Sequence, residues 1–322
     1  MNRQLHAITL AFAALAVAGC AQRDREARTL PQPPTHLDPR HVTIFDGATG
    51  ESIDWTDMIE HTITADAILV GENHGHVLGL ASAAALWADV LTQRGERAAL
   101  ALEFFERDDQ SRIDDYLADL YDEKRFKTRT GRTDSNYPAG HRQMVEAAKQ
   151  AGRPVLAANA PRAFVRLARH EGFERLATLT DEQRRLVRVP EFLPTGRYRN
   201  AFEKVMTHAG DTSAAATEEA RVEARKKIDD LFRSQSIWDW TMADSVARSI
   251  ERGDAPTLLV IGRFHIDFRG GTVQALECMR PGSTHVTVSY VDAWSDALRD
   301  EDLWRADYVI YVGPSATPES GG

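Results

Sequence analysis

The chain has 322 residues, enough to bury a substantial core as one large α/β domain or as a domain with insertions. Its composition, 43% hydrophobic and 27% charged, is that of a folded protein, and a net charge of −9 argues against a nucleic-acid partner, which needs a basic face. No apolar run reaches the roughly 20 residues that a spanning helix requires.

The N-terminus reads as a processing segment. Arg3 supplies a positive start and Ala7 to Val17 an apolar core, so residues 1–19 are expected to be a signal peptide. The run Leu15-Ala16-Val17-Ala18-Gly19-Cys20 resembles a bacterial lipobox, with Cys20 lipidated after cleavage. Of the two cysteines, Cys278 is then the remaining thiol, and no intramolecular disulfide is expected. Residues 20–41, charged and interrupted by Pro31, Pro33, Pro34 and Pro39, read as a tether from lipid to domain. The folded domain is expected over 42–313, followed by a disordered Gly, Pro and Ser tail over 314–322. Location in the cell envelope follows, at the outer membrane in a Gram-negative host.

Val42 to Phe45 predicts a short strand and Trp55 to His61 a helix. The apolar run Ile68-Leu69-Val70 predicts a strand that stops at Gly71-Glu72-Asn73-His74-Gly75-His76, and Val77 to Leu91 a helix behind it. Strand, polar turn and helix make half of a βαβ unit. Further strands are predicted at 98–102, 154–158, 257–261, 284–290 and 308–312, with helices at 110–120 and 141–150. Residues 121–137 read as charged and irregular. About 90 residues of helical pattern, roughly 163–251, separate two strands, far more than a crossover needs. This is read as a helical insertion, with Asp181 as an N-cap. On its last helix Gln235, Trp238, Asp239 and Met242 share one face, so the two polar residues need partners there. The fold class is therefore α/β, a mostly parallel, doubly wound sheet with a large helical insertion.

Four strands end in polar groups: Glu72 with His74, Glu103 with Glu106 and Arg107, Asn159 with Arg162, and Arg263 with His265. A parallel sheet brings strand ends to one rim, where ligands of α/β proteins sit. Glu72, His74, Glu103, Arg107 and His265 are the catalytic candidates. His74, Glu103 and His265 could supply three ligands for a divalent metal with an open position. Without metal, His74 could act as general base, oriented by Glu72 or Glu103, with an arginine pairing an anion.

Gly71-Glu72-Asn73-His74, Glu103-Phe104-Phe105-Glu106-Arg107-Asp108, Asn159-Ala160-Pro161-Arg162 and Gln235-x-x-Trp238-Asp239-x-x-Met242 resemble the ChaN-like haem-binding lipoproteins of the Tiki superfamily. The resemblance covers roughly 42–312. It implies the fold above, non-covalent haem binding between paired subunits as a homodimer, and a role in iron uptake. Some relatives look like metal-dependent peptidases, and erythromycin esterases share a similar first motif. The chain departs from the family in Gly75-His76 after the first histidine, in Arg263-Phe264 before His265, and in Tyr137-Pro138-Ala139-Gly140-His141. The iron ligand therefore stays open among Tyr137, His141, His76 and Tyr121, since Tyr and His both serve axially. No Cys-x-x-Cys-His occurs, so covalent c-type attachment is excluded. Haem or a similar iron ligand is the leading partner. The rival reading is a hydrolase of the metal-dependent or His/Glu type, and the third is an interaction protein without either activity.

Overall fold

In the computed structural model of this protein, residues 38–209 and 217–315 are described. The expected signal peptide, the lipidated Cys20, most of the tether and most of the tail lie outside the described residues. Chain order is β1 Thr43–Asp46, β2 Ser52–Ile53, α1 Trp55–Thr62, β3 Ala67–Glu72, α2 Val77–Arg94, β4 Ala99–Glu106, α3 Gln110–Leu117, α4 Glu123–Arg129, α5 Ala139–Gln150 and β5 Val155–Asn159. There follow α6 Arg162–Glu171, α7 Phe173–Ala177, α8 Asp181–Arg184, α9 Arg197–Ala209, α10 Glu218–Glu251, β6 Thr257–Gly262, α11 Gly271–Met279, β7 His285–Val291 and β8 Tyr308–Tyr311.

The strands form an eight-stranded sheet in the order β2-β1-β8-β7-β3-β6-β4-β5. From β8 to β5 every neighbouring pair is parallel, and β1 pairs antiparallel with both β8 and the edge strand β2. Parallel strands need both faces covered, which is why β3 and β6 are buried along their whole length. Alternation divides them: Ile68, Val70, Leu100 and Leu258 join the core under α1, α2 and α5. Leu69, Ala101, Leu259 and Ile261 join the core under α10 and α11. Each buried Leu or Ile contributes about 1.5–3 kcal/mol relative to exposure.

Three local readings are corrected. Residues 121–137 are not irregular throughout: Asp122 caps α4 by accepting from Arg125 N–H, and Phe126 buries its ring. Thr180, not Asp181, is the N-cap of α8, in a reciprocal capping box with Gln183. The strand β4 runs on to Glu106, with a register shift between Leu102 and Glu106. That bulge turns the adjacent Phe104 and Phe105 toward the same core.

Candidate functional site

The central strands β3 and β6 carry the site. Glu72 and Gly262 are register partners at their carboxyl ends, with β4 on the far side of β6. Gly71 has no side chain because a Cβ would stand 2.8 Å from the Cα of Arg263, so the turn after β6 can close over the end of β3. Gly262 is bare for a second reason. A Cβ there would meet His74 Nε2 at 2.9 Å and Glu103 Oε2 at 3.4 Å. The imidazole and the carboxylate thus face the same small space above Gly262.

Two carboxylate–histidine pairs flank that space. His74 donates from Nδ1 to Glu72 Oε1 at 2.9 Å, with its own ring 66% exposed and Glu72 buried behind it. His265, buried, donates from Nδ1 to Asp239 Oδ1 at 2.7 Å, and its Nε2 lies 3.8 Å from Glu103 Oε1. The partners that Gln235 and Asp239 need are all present. Thr272 donates to Asp239 Oδ1 and Tyr198 to Asp239 Oδ2, while Gln235 donates to Tyr198. Gly271 leaves room for that carboxylate, which a Cβ would overlap.

Charge follows from these contacts. Burial pushes Glu72 up, but the charges and hydrogen bonds of His141 and His74 overcome it and hold the carboxyl down at about 2. The hydrogen bond from His74 to Glu72, helped by Glu103, raises the imidazole to about 9. Burial lowers His265, but Asp239 and then Glu103 outweigh it and the ring is raised. Burial beside Asp239 pushes the Tyr198 phenol well up, so it stays a donor.

Glu72, His74, Glu103 and His265 therefore come together; Arg107 does not join them. Its guanidinium is buried against α10, where it donates to Asp244, Ser245 and the Thr241 carbonyl. The expectation that it serves the cleft is corrected: it ties the carboxyl end of β4 to α10. The rim arginine is Arg263, whose Nε donates to Asn73 Oδ1 and whose terminal nitrogens pair with Asp267 and Asp292.

The divalent-metal expectation gains no support. Among the described residues no group of three or more His, Cys, Asp or Glu side chains is arranged to hold a metal ion. Glu103 Oε2 accepts from the backbone N–H of Gly262, while its Oε1 lies 3.8 Å from His265 Nε2.

The four proposed iron ligands are placed otherwise than the sequence suggests. His76 is the N-cap of α2: its Nδ1 accepts from Gly79 N–H and its Nε2 donates to the Gly313 carbonyl, so neither nitrogen is free. Tyr137 is buried and stacked on Phe104, with ring centroids 5.5 Å apart. Tyr121, half-buried, donates its hydroxyl to the Arg112 carbonyl. His141 is buried and donates from Nε2 to Glu72 Oε2 at 2.8 Å. His76, Tyr137 and His141 are thus held by packing or hydrogen bonds, while Tyr121 stays half-buried with its hydroxyl proton on a backbone carbonyl. Asp239 and Tyr198 are what sequence reasoning left without a site role. Asp239 on one helix face with Gln235 was the available signal, while Tyr198 had none.

Residues 58–276 match the model of a family described as haem-binding uptake, Tiki superfamily, ChaN. No curated protein matches the chain. Among solved structures, that of cofacial haem binding to ChaN of Campylobacter jejuni matches with a TM-score of 0.63 and 18% identity, covering 84% of this chain and 96% of that one. The two share a fold. Weaker likenesses run to the type III effector HopBA1, with a TM-score of 0.41 and 13% identity over 86% of this chain and 99% of that one. A mutant of the erythromycin esterase EreC in its open conformation gives 0.43 and 12% over 84% and 83%.

Proposed function

This chain belongs to the haem-binding uptake family ChaN of the Tiki superfamily, and we propose that it binds haem non-covalently at the carboxyl rim of its sheet, as a lipid-anchored protein of the cell envelope that handles haem iron. The observation that carries the reading to a residue is the Glu72–His74 pair. A buried carboxylate on Nδ1 fixes the ring and leaves Nε2 as the nitrogen for a ligand, the arrangement that orients and strengthens imidazole ligands of metals. His74 is the exposed imidazole of this rim, and the space beside Gly75 is open, with no atom beyond its chain neighbours within 4 Å of where a Cβ would stand. Val77, 82% exposed at the start of α2, adds apolar surface for a porphyrin edge. The proposed assembly is a homodimer in which a second copy covers the open haem face, which the cofacial haem of the Campylobacter jejuni protein supports by analogy.

Haem titration of the domain without its N-terminal segment tests the reading. A Soret band that saturates at one haem per chain, and that is lost or shifted in His74→Ala, is the expected result. Unchanged spectra and affinity in His74→Ala would move the haem away from this rim.

A second reading is favoured by one feature that haem binding does not use. The buried His265–Asp239 pair, facing Glu103, is an acid–base arrangement suited to hydrolysis. Ester or peptide cleavage by the purified domain, abolished in His265→Ala and Glu103→Gln, would establish it.

A further inference from the structure

His141 has no part in the haem reading, yet it is a buried imidazole held against a buried carboxylate. Glu72 accepts from two histidines at once, Oε1 from His74 Nδ1 and Oε2 from His141 Nε2. The other nitrogen of His141, Nδ1, is buried and has no hydrogen-bond partner. Its ring packs against Phe104 at 4.8 Å between centroids, and Phe104 in turn stacks on Tyr137. An apolar side chain would fill this aromatic pocket at lower cost than an imidazole with one bare nitrogen.

Hydrogen-bond bookkeeping says why an imidazole is there. With a proton on Nε2, His141 gives Glu72 a donor. The opposite tautomer would leave an N–H unpaired in the pocket and set a lone pair against the carboxylate. The backbone is shaped for the contact: a Cβ at Gly140 would lie 2.6 Å from the Leu80 carbonyl oxygen, so a glycine lets α5 close on α2. His141, the next residue, then reaches across to the end of β3.

We propose that His141 is a positioning residue which, by donating to Glu72, keeps that carboxylate in place as the acceptor for His74 Nδ1–H, and so fixes which nitrogen of His74 faces the rim. The consequence for iron rests on the haem reading, while the hydrogen-bond chain itself does not. Without His141, Glu72 is a buried carboxylate with one donor fewer. It is then free to turn away from His74, and the Nδ1–H bond that orients His74 is lost.

The test uses His141→Phe and His141→Leu, which fill the pocket without a donor, and His141→Gln, which keeps one. In the haem-free protein labelled with 15N-histidine, the downfield Nδ1 proton of His74 should be seen in wild type and His141→Gln and vanish in both apolar variants. With haem bound, the apolar variants should show a weaker iron–histidine stretch and about tenfold lower affinity, in the range that loss of such outer partners brings to metal sites. A folded apolar variant that keeps the His74 Nδ1 proton and the wild-type affinity overturns the proposal and leaves His141 a packing residue. So does loss of the proton in His141→Gln as well. Should wild type take up no haem, the haem reading falls, and the Nδ1 proton in the haem-free variants still decides the role of His141.

Discussion

Glu72 and Gly262 lie side by side as register partners of β3 and β6, and the missing Cβ of Gly262 is what lets His74 lean over the sheet from two residues beyond Glu72. The contact joins the two strands at the level of function, since the side chains above that glycine come from β4 and from the turn after β3. Gly262 has φ −54°, ordinary for any residue, so its bareness answers to space rather than to backbone strain.

Gly262→Ala is therefore expected to displace His74 and Glu103 without opening the sheet. Haem affinity should fall about tenfold or more, the scale of disturbed ligand orientation. The melting temperature should move by less than about 4 °C. Parallel haem titration and thermal unfolding check both; a tight wild-type complex in this variant would place haem elsewhere.

Asp239→Ala removes the acceptor that His265, Thr272 and Tyr198 share in the interior. Breaking a buried ionic network by deleting one partner costs roughly 3–5 kcal/mol. Denaturant unfolding should show that loss, and His74→Ala, at an exposed position, should not.

The pH dependence has a definite sign at both ends. His74 is raised to about 9, so whatever its pairing contributes is complete below its ordinary 6.5 and is lost as pH climbs through 9. Glu72 is lowered to about 2, so its contribution is complete above the ordinary 4.5 and is lost as pH falls through 2. Iron at His74 Nε2 displaces a proton, and haem affinity should rise about tenfold per pH unit up to roughly 9, where the proton is already gone. If His74 instead pairs as a cation with a propionate, affinity falls above 9. A haem-binding isotherm series from pH 6 to 10, with pH-matched His74→Ala, separates the two slopes.

Lipid attachment is tested at the other end of the chain. Cys20→Ala should release the protein from the membrane fraction or stall it as the precursor, and mass spectrometry of the wild type should find Cys20 acylated at the mature N-terminus. An unmodified Cys20 in a soluble form would leave the domain without the proposed anchor.

The sequence by itself determined the sheet and its rim. Apolar runs of strand length at 68–70, 98–102 and 257–261, each closing on polar residues, carry their own burial pattern, because strands covered on both faces must be apolar throughout. That logic places Glu72, His74, Glu103 and His265 at the ends of three strands, and the sheet's parallel order makes those ends meet. Three of the four family motifs are strand ends of this kind, and the fourth, around Trp238 and Asp239, lies within α10.

Only the tertiary structure decided what each polar side chain does. Arg107 follows a strand as Glu72 nearly does, yet its long side chain finds a buried carboxylate and a carbonyl on α10 and is used up there. His76, two positions from His74, is consumed by the first turn of α2 and by the Gly313 carbonyl 237 positions away. Tyr137 and His141 look equally available in sequence, but Phe104, Phe105 and Phe126 pack around Tyr137, and the close approach of α5 to α2 hands His141 to Glu72. Tyr198 gave no signal because its partner Asp239 is 41 positions distant and on another helix. Periodicity reports which face of an element is apolar. Whether a histidine there is a ligand, a cap or a brace depends on the acceptor that arrives from elsewhere in the chain, and this local pattern does not encode it.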